Sequence, residues 1–266
     1  MAKLTGDFIF SGSIGNLSVY KMRGVDRPIV RSKSGPTAEQ VKNSPNFKLT
    51  RLNNSEFGGR STAAKWVRNS LSILTTLADY NISGYIGRQL KPLQVADTVN
   101  PWGKRSVLLS QNPRMLEGFQ LNKGVTIDSI IRNPLPVTLN RSTLSAGINI
   151  PALMPGINLY IPGKYPLYSL VMLLGIIPDF HYTELGYKPQ KAFSGRAGIA
   201  TSSITAWQPC ATESAPLLVE LSHTNVPAND GFSLLLAIGI RFGTIGANNQ
   251  IVQVPRAGAA KILAMG

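Results

Sequence analysis

Acidic residues are what this chain has least of. Only 13 of 266 residues are Asp or Glu, against 27 Lys and Arg, and charged residues reach only 15%. That is sparse for a soluble surface, so the surface is carried by Ser, Thr, Asn, Gln and Gly or is covered by other subunits. A net charge of +14 points to an acidic partner or surface rather than to any fold. Cys210 stands alone, which excludes an intrachain disulfide and a cysteine-based metal site. Histidine is limited to His181 and His223. A zinc or copper site would need further ligands, and His181-Tyr182-Thr183-Glu184 lacks the two-histidine helical spacing. Gln208-Pro209-Cys210-Ala211 matches no cysteine-enzyme context and reads as a buried, inert thiol. Long apolar runs are missing too. The longest, 167–177, is about half the length a bilayer-spanning helix needs.

The carboxylates are scattered, with no paired spacing on one face, and no glycosidase-type pair is indicated. The Gly156 to Lys164 stretch is too long for a phosphate-binding loop, and Tyr165 stands where Ser or Thr is needed. Asn16-Leu17-Ser18 and Asn81-Ile82-Ser83 are glycosylation sequons by pattern only. The opening MAKLTGDF carries a lysine with no apolar stretch behind it, so no ordinary signal peptide is read. The default location is cytoplasmic, or periplasmic if the partner is a translocon. No catalytic residue, cofactor, metal, small-molecule substrate or direct membrane insertion is indicated.

What is there begins with the stretch from Phe8 to Lys33. Phe8-Ile9-Phe10 and Leu17-Ser18-Val19-Tyr20 flank Gly12-Ser13-Ile14-Gly15-Asn16, a segment rich in residues that tolerate positive φ, which predicts a hairpin loop. A second turn, Arg23-Gly24-Val25-Asp26, leads into Pro28-Ile29-Val30-Arg31, giving a three-stranded meander. Leu17, Val19 and Lys21 alternate with Ser18, Tyr20 and Met22, so both faces are expected to be mixed. Such a meander cannot stand alone in water. The first 70 residues hold 12 of the basic residues against Asp7, Asp26, Glu39 and Glu56. Lys21, Arg23, Arg27, Arg31 and Lys33 would line one edge of the meander with Tyr20 interleaved, as phosphate contacts or as a solvated rim that discourages edge-to-edge pairing. No nucleic-acid-binding signature accompanies them.

Further along, Thr37-Ala38-Glu39-Gln40 offers a capping box for a short helix ending near Asn43, and Ser44-Pro45 restarts helix. Phe47, Leu49, Leu52 and Phe57 are its apolar residues, and Gly58-Gly59 should end or bend it. Ala63, Trp66, Val67, Leu71, Leu74, Leu77 and Ala78 recur at helical spacing. Another helix is expected over 86–90, ending near Pro92, and helical turns over 106–121. From Gly124 the pattern turns to strands: 125–130, 167–174, 199–204, 216–221, 232–242 and 251–254. The expected fold is mainly β with a helical segment: an antiparallel β-sandwich over 124–266, an N-terminal β-meander over 1–36 joined to it, and helices over 37–123 packed alongside.

The N-terminal residues Gly12-Ser13-Ile14-Gly15-Asn16-Leu17, Tyr20-Lys21-Met22-Arg23-Gly24 and Ile29-Val30-Arg31-Ser32-Lys33, continuing into Ser44-Pro45 and Asn53-Asn54-Ser55-Glu56-Phe57-Gly58, resemble a family of uncharacterised Bacteroidota proteins. The resemblance covers about the first quarter of the chain and transfers no activity. It brings in two hosts: the type IX secretion translocon, whose wide pore must be closed by soluble plug-like partners, and a phage particle. The expected function is therefore a non-enzymatic interaction or structural protein docking into a larger protein assembly, a translocon or a virion. The alternative is a basic nucleic-acid-binding protein. The expected partner-binding residues are Gly12, Ile14, Gly15, Asn16, Tyr20, Met22, Arg23, Arg27 and Arg31.

Overall fold

A computed structural model describes residues 2–3, 10–22, 26–33, 35–224 and 230–266. It forms two compact units, Met1–Arg51 and Leu52–Gly266. The expected breaks at 36 and 123 fall elsewhere, because the helical segment and the later strands share one core.

The first unit carries a four-stranded antiparallel sheet. Its strands are β1 (Ala2–Lys3), β2 (Gly12–Ile14), β3 (Leu17–Tyr20) and β4 (Ile29–Ser32), in the order β1-β4-β3-β2. The expected loop 12–16 is therefore mostly strand: Gly12, Ser13 and Ile14 pair with Val19, Ser18 and Leu17, leaving only Gly15-Asn16 as the turn. Phe10 lies outside any strand, and Phe8 and Ile9 lie outside the described residues. Helix α1 (Ala38–Asn43) follows with the predicted capping box complete, the Thr37 hydroxyl accepting from the Gln40 N–H and the Gln40 side chain accepting from the Thr37 N–H. A 3-10 turn over Pro45–Phe47 leads into α2 (Lys48–Ser70), and the unit boundary falls in the first turn of that helix.

In the second unit, Gly58-Gly59 does not break α2. Gly59 is where the Tyr187 ring lies against the helix, within 3 Å of where a Cβ would sit. Phe57 is 64% exposed, so the first half of the expected apolar stripe does not reach the core. The second half does: Ala63, Trp66, Val67, Leu71, Leu74 and Leu77 are all buried. The helix breaks at Leu71 and resumes as α3 (Ser72–Thr75). Helices α4 (Ile82–Gln89) and α5 (Lys91–Ala96) follow, with Pro92 in the first turn of α5 rather than ending a helix. The expected strand over 125–130 is instead one helical turn, α6 (Ile127–Ile130), because the Thr126 hydroxyl accepts from the Ser129 N–H and buries Ile127 and Ile130 together. No helix among the described residues is long and apolar enough to cross a membrane.

Strand dominates the remainder, in the order β5 (Val137–Asn140), β6 (Ser145–Ile150), β7 (Leu167–Pro178), β8 (Phe180–Thr183), β9 (Gly186–Pro189), β10 (Ile199–Ile204), β11 (Gln208–Pro209), β12 (Leu217–Ser222), β13 (Phe232–Ile245) and β14 (Ile251–Met265). Strands β7 and β13 pair along the whole length of β7, from Pro178 opposite Phe232 to Leu167 opposite Gly243. β14 flanks β13, while β10 and β11 flank β7 in succession. A second antiparallel sheet, β12-β6-β5, packs on one face: β12 meets β10 and β7, and β5 meets β14, so it crosses the full width. The two sheets form the sandwich. On the opposite face lies the α2–α3 segment, with the Trp66 indole N–H donating to the Ile176 carbonyl at 3.0 Å. Hence β7 and β13 are buried on both faces over most of their length and read as near-continuous apolar runs, interrupted at Ser169, Ser233 and Arg241.

Two glycines show how tight this packing is. A Cβ on Gly239 would meet Leu74 at 2.7 Å and Leu77 at 3.0 Å, so only glycine lets the helices settle on β13. Gly258 in β14 has φ +138 beside a register shift opposite Arg241, and a Cβ there would sit on the Ile240 carbonyl oxygen. The outer side of β14 is covered by 118–122, where the Gly118 and Leu121 N–H groups donate to Ile262 and Ala260 carbonyls and the Ile262 N–H donates to Phe119. This coat leaves less edge open for pairing.

Leu74 is fully buried, so Leu74→Ala should cost about 2–5 kcal/mol in urea unfolding. A loss within about 0.5 kcal/mol would mean the helix face does not pack as described. Gly258→Ala should cost on the order of 2 kcal/mol or more, because it combines backbone strain with a backbone clash. The same change at exposed Gly58, which is helical with open space around it, should raise the midpoint slightly.

Candidate functional site

The residues singled out in the N-terminal stretch do not form one patch. The turn end of the sheet holds Ile14, Gly15 and Asn16, with Gly15 at φ +52. Lys33 clasps it, its backbone N–H donating to the Asn16 carbonyl at 2.6 Å and its ammonium to the Gly15 carbonyl at 3.3 Å. Tyr20, Met22 and Arg27 lie at the opposite end, where β3 stops and β4 starts, about 10 Å away along a four-residue strand. Arg31 sits between them, opposite Ser18. The basic residues therefore do not line one edge as expected, and Arg23 lies outside the described residues.

Pairing also sorts the faces more cleanly than alternation along one strand suggests. Ile14 stands opposite Leu17, and Val19 opposite Val30, so one face gathers four apolar side chains. Its inner part is buried at Val19, while Ile14 and Leu17 are 61% and 48% exposed. The other face carries Ser13, Ser18, Arg31 and Tyr20 with Ile29. Leu17 and Lys33 belong to the turn end as much as the glycines do. Sequence reasoning missed this because the partner of Ile14 follows only from a two-residue turn.

In the second unit several buried polar groups form closed structural networks. Glu56 is buried and accepts from the Gly103 N–H at 2.9 Å and from Arg105 at 2.6 and 2.7 Å. Burial pushes its carboxyl up, but the bonds from Arg105 and Gly103 outweigh that and hold it below the usual range. Arg60 donates to Gln94, whose amide donates to the Arg105 carbonyl, and the Tyr187 hydroxyl donates to that same carbonyl. Burial, with Glu56 nearby, raises the Tyr187 phenol to about 12. Burial likewise pushes the Cys210 thiol to about 11. Both shifts run opposite to what an activated base or nucleophile needs. His181 pairs across the β8–β9 hairpin with Lys188, and among the described residues no group of His, Cys, Asp and Glu could hold a metal ion.

His223 is the one imidazole tied into the core. Its Nε2–H donates to the Leu174 carbonyl at 3.0 Å, and its backbone N–H donates to Leu144. Burial lowers its pKa, and the Leu174 bond offsets this only in part. A folded-state value below the unfolded one means the unfolded chain binds the proton more readily. The contribution of His223 is thus complete above about pH 6.5 and is lost as the pH falls below it. The urea midpoint should fall between pH 7.5 and pH 5.5, and His223→Gln should flatten that slope. An unchanged slope in the variant would assign the acid sensitivity to other groups. Against known proteins, no family model, no curated protein and no solved structure matches this chain.

Proposed function

We propose that this chain is a non-catalytic docking protein, joining a larger protein assembly through the turn end of its N-terminal sheet. The observation that carries the reading is the Ile14–Leu17 pair. Two large apolar side chains face each other beside a tight turn and are exposed to solvent. Beside them β2 is the edge of the sheet, and among the described residues no strand pairs with its outer side, which suits a partner strand or loop. The low density of charged residues fits a surface that is partly covered. In the second unit, Glu56, Asp79, Asp97 and Asp179 all accept backbone N–H bonds, which supports a structural rather than catalytic use of its few acids. A wide secretion pore and a virion are the hosts that the N-terminal resemblance suggests.

The alternative has its own support. Lys21, Arg27 and Arg31 are exposed, and no ion pair engages them among the described residues, so they are free to meet phosphates. One experiment separates the two. A photo-crosslinking side chain at Leu17 in the native host should capture one protein species. Leu17→Asp should abolish its co-purification with an unchanged melting temperature. Sub-micromolar binding to random duplex or single strand at physiological salt would replace docking with nucleic-acid binding, provided changing Arg23, Arg27 and Arg31 to Gln abolishes it and lowers the salt slope by about three phosphate contacts.

A further inference from the structure

A cleft in the second unit, independent of the docking reading, has a chemistry of its own. It has a volume of about 330 Å³ and opens between α2, the β8–β9 hairpin and the loop 194–197. Three cations, Lys65, Lys188 and Arg196, border it, and no carboxylate does. All three are exposed, and none has a side-chain hydrogen bond or ion pair among the described residues. Only Arg105, Arg114 and Lys261 of this unit's cations are in ion pairs among the described residues, so what distinguishes Lys65, Lys188 and Arg196 is that they border one cleft. The inner wall is apolar, built on Trp66, Phe180 and Tyr187, with Trp66 and Phe180 locked edge to face at 6.0 Å.

The rim is held in place before any ligand arrives. The Asn69 amide donates to the Ala197 carbonyl at 2.7 Å, tying the loop to the helix. Gly198 lies so close to the Asn69–Ser70 backbone that a Cβ there would approach it to 3.0 Å. Gly195, at φ +76, turns the chain between these anchors and the 3-10 turn over Lys191–Phe193. A preformed site loses less ordering entropy on binding.

We propose that this cleft binds a small organic phosphate, with the phosphate held by Lys65, Lys188 and Arg196 and the apolar part of the molecule against the Trp66–Tyr187 wall. Three uncompensated cations match a dianion better than a single carboxylate, and arginine and lysine are the usual phosphate partners. The volume lies at the lower end for small-molecule sites, which limits the ligand to about mononucleotide size.

The test is isothermal titration of the full chain with AMP, phenyl phosphate, inorganic phosphate and uncharged adenosine at physiological salt. AMP or phenyl phosphate should bind with a Kd below about 1 mM, inorganic phosphate more weakly and adenosine not at all. Changing Lys188 and Arg196 together to Gln should weaken binding at least about tenfold while the thermal melt stays put. Changing Arg27 and Arg31 to Gln should leave it unaltered, which separates this site from any phosphate contact by the N-terminal unit. The proposal fails if neither organic phosphate binds below about 1 mM, or if the cleft variant binds as well as the parent. Tighter binding of inorganic phosphate than of either ester would also overturn it, because the apolar wall would then contribute nothing.

Discussion

Two adjacent antiparallel strands buried on both faces set the terms for the second unit. Once β7 and β13 are paired along twelve residues, neither face can be left to water. A helical layer must close one side and a second sheet the other. The small residues follow from the same demand. Gly175 lies under Ser70, and Gly239 lies under Leu74 and Leu77, where a side chain would hold the helices off the sheet. Close packing of this kind makes the core intolerant of added as well as removed volume.

The same constraint gives a use to the few acids. The residues between α5 and α6 have little regular structure, so their backbone N–H groups need other partners. Carboxylates supply them: Glu56 accepts from Gly103, Asp97 from Val99, Asn100 and Ser106, Asp179 from Ser110, and Asp79 from Lys123 and Gly124. Each acid replaces a rung of secondary structure. Burial raises the Asp97 carboxyl, and the bonds from Asn100, Ser106 and Val99 more than reverse that. The irregular segment is thereby held firmly enough for 118–122 to coat the outer strand.

Much of this arrangement was legible where one force acts alone. The Thr37 capping box, the core stripe from Ala63 to Leu77 and the buried run from Leu167 each depend on local spacing or plain apolarity, and each stands as read. The β5–β6 hairpin was not legible, because its turn lacks glycine. Asn140 accepts the Ser142 and Thr143 N–H groups, and Leu144 takes φ 49. The Ala257–Ala260 stretch of β14 carries no β-branched residue and is held as strand by β13 on one side and the 118–122 segment on the other. At the N-terminal sheet, composition showed the turn, whereas the apolar face around Ile14 and Leu17 emerges only from cross-strand register. Of the cleft cations, Lys188 and Arg196 are close in the chain but Lys65 is more than 120 residues away, and no spacing joins it to them.

The bond between Trp66 and Ile176 spans 110 residues of sequence. During synthesis at about 5–20 residues per second, the α2–α3 face waits about 5–20 seconds for the strand it will cover. Throughout that interval Trp66, Leu71 and Leu74 present a bare apolar stripe on a nascent chain. A helix that reads so plainly in the sequence is therefore, in the cell, an early and unpartnered element.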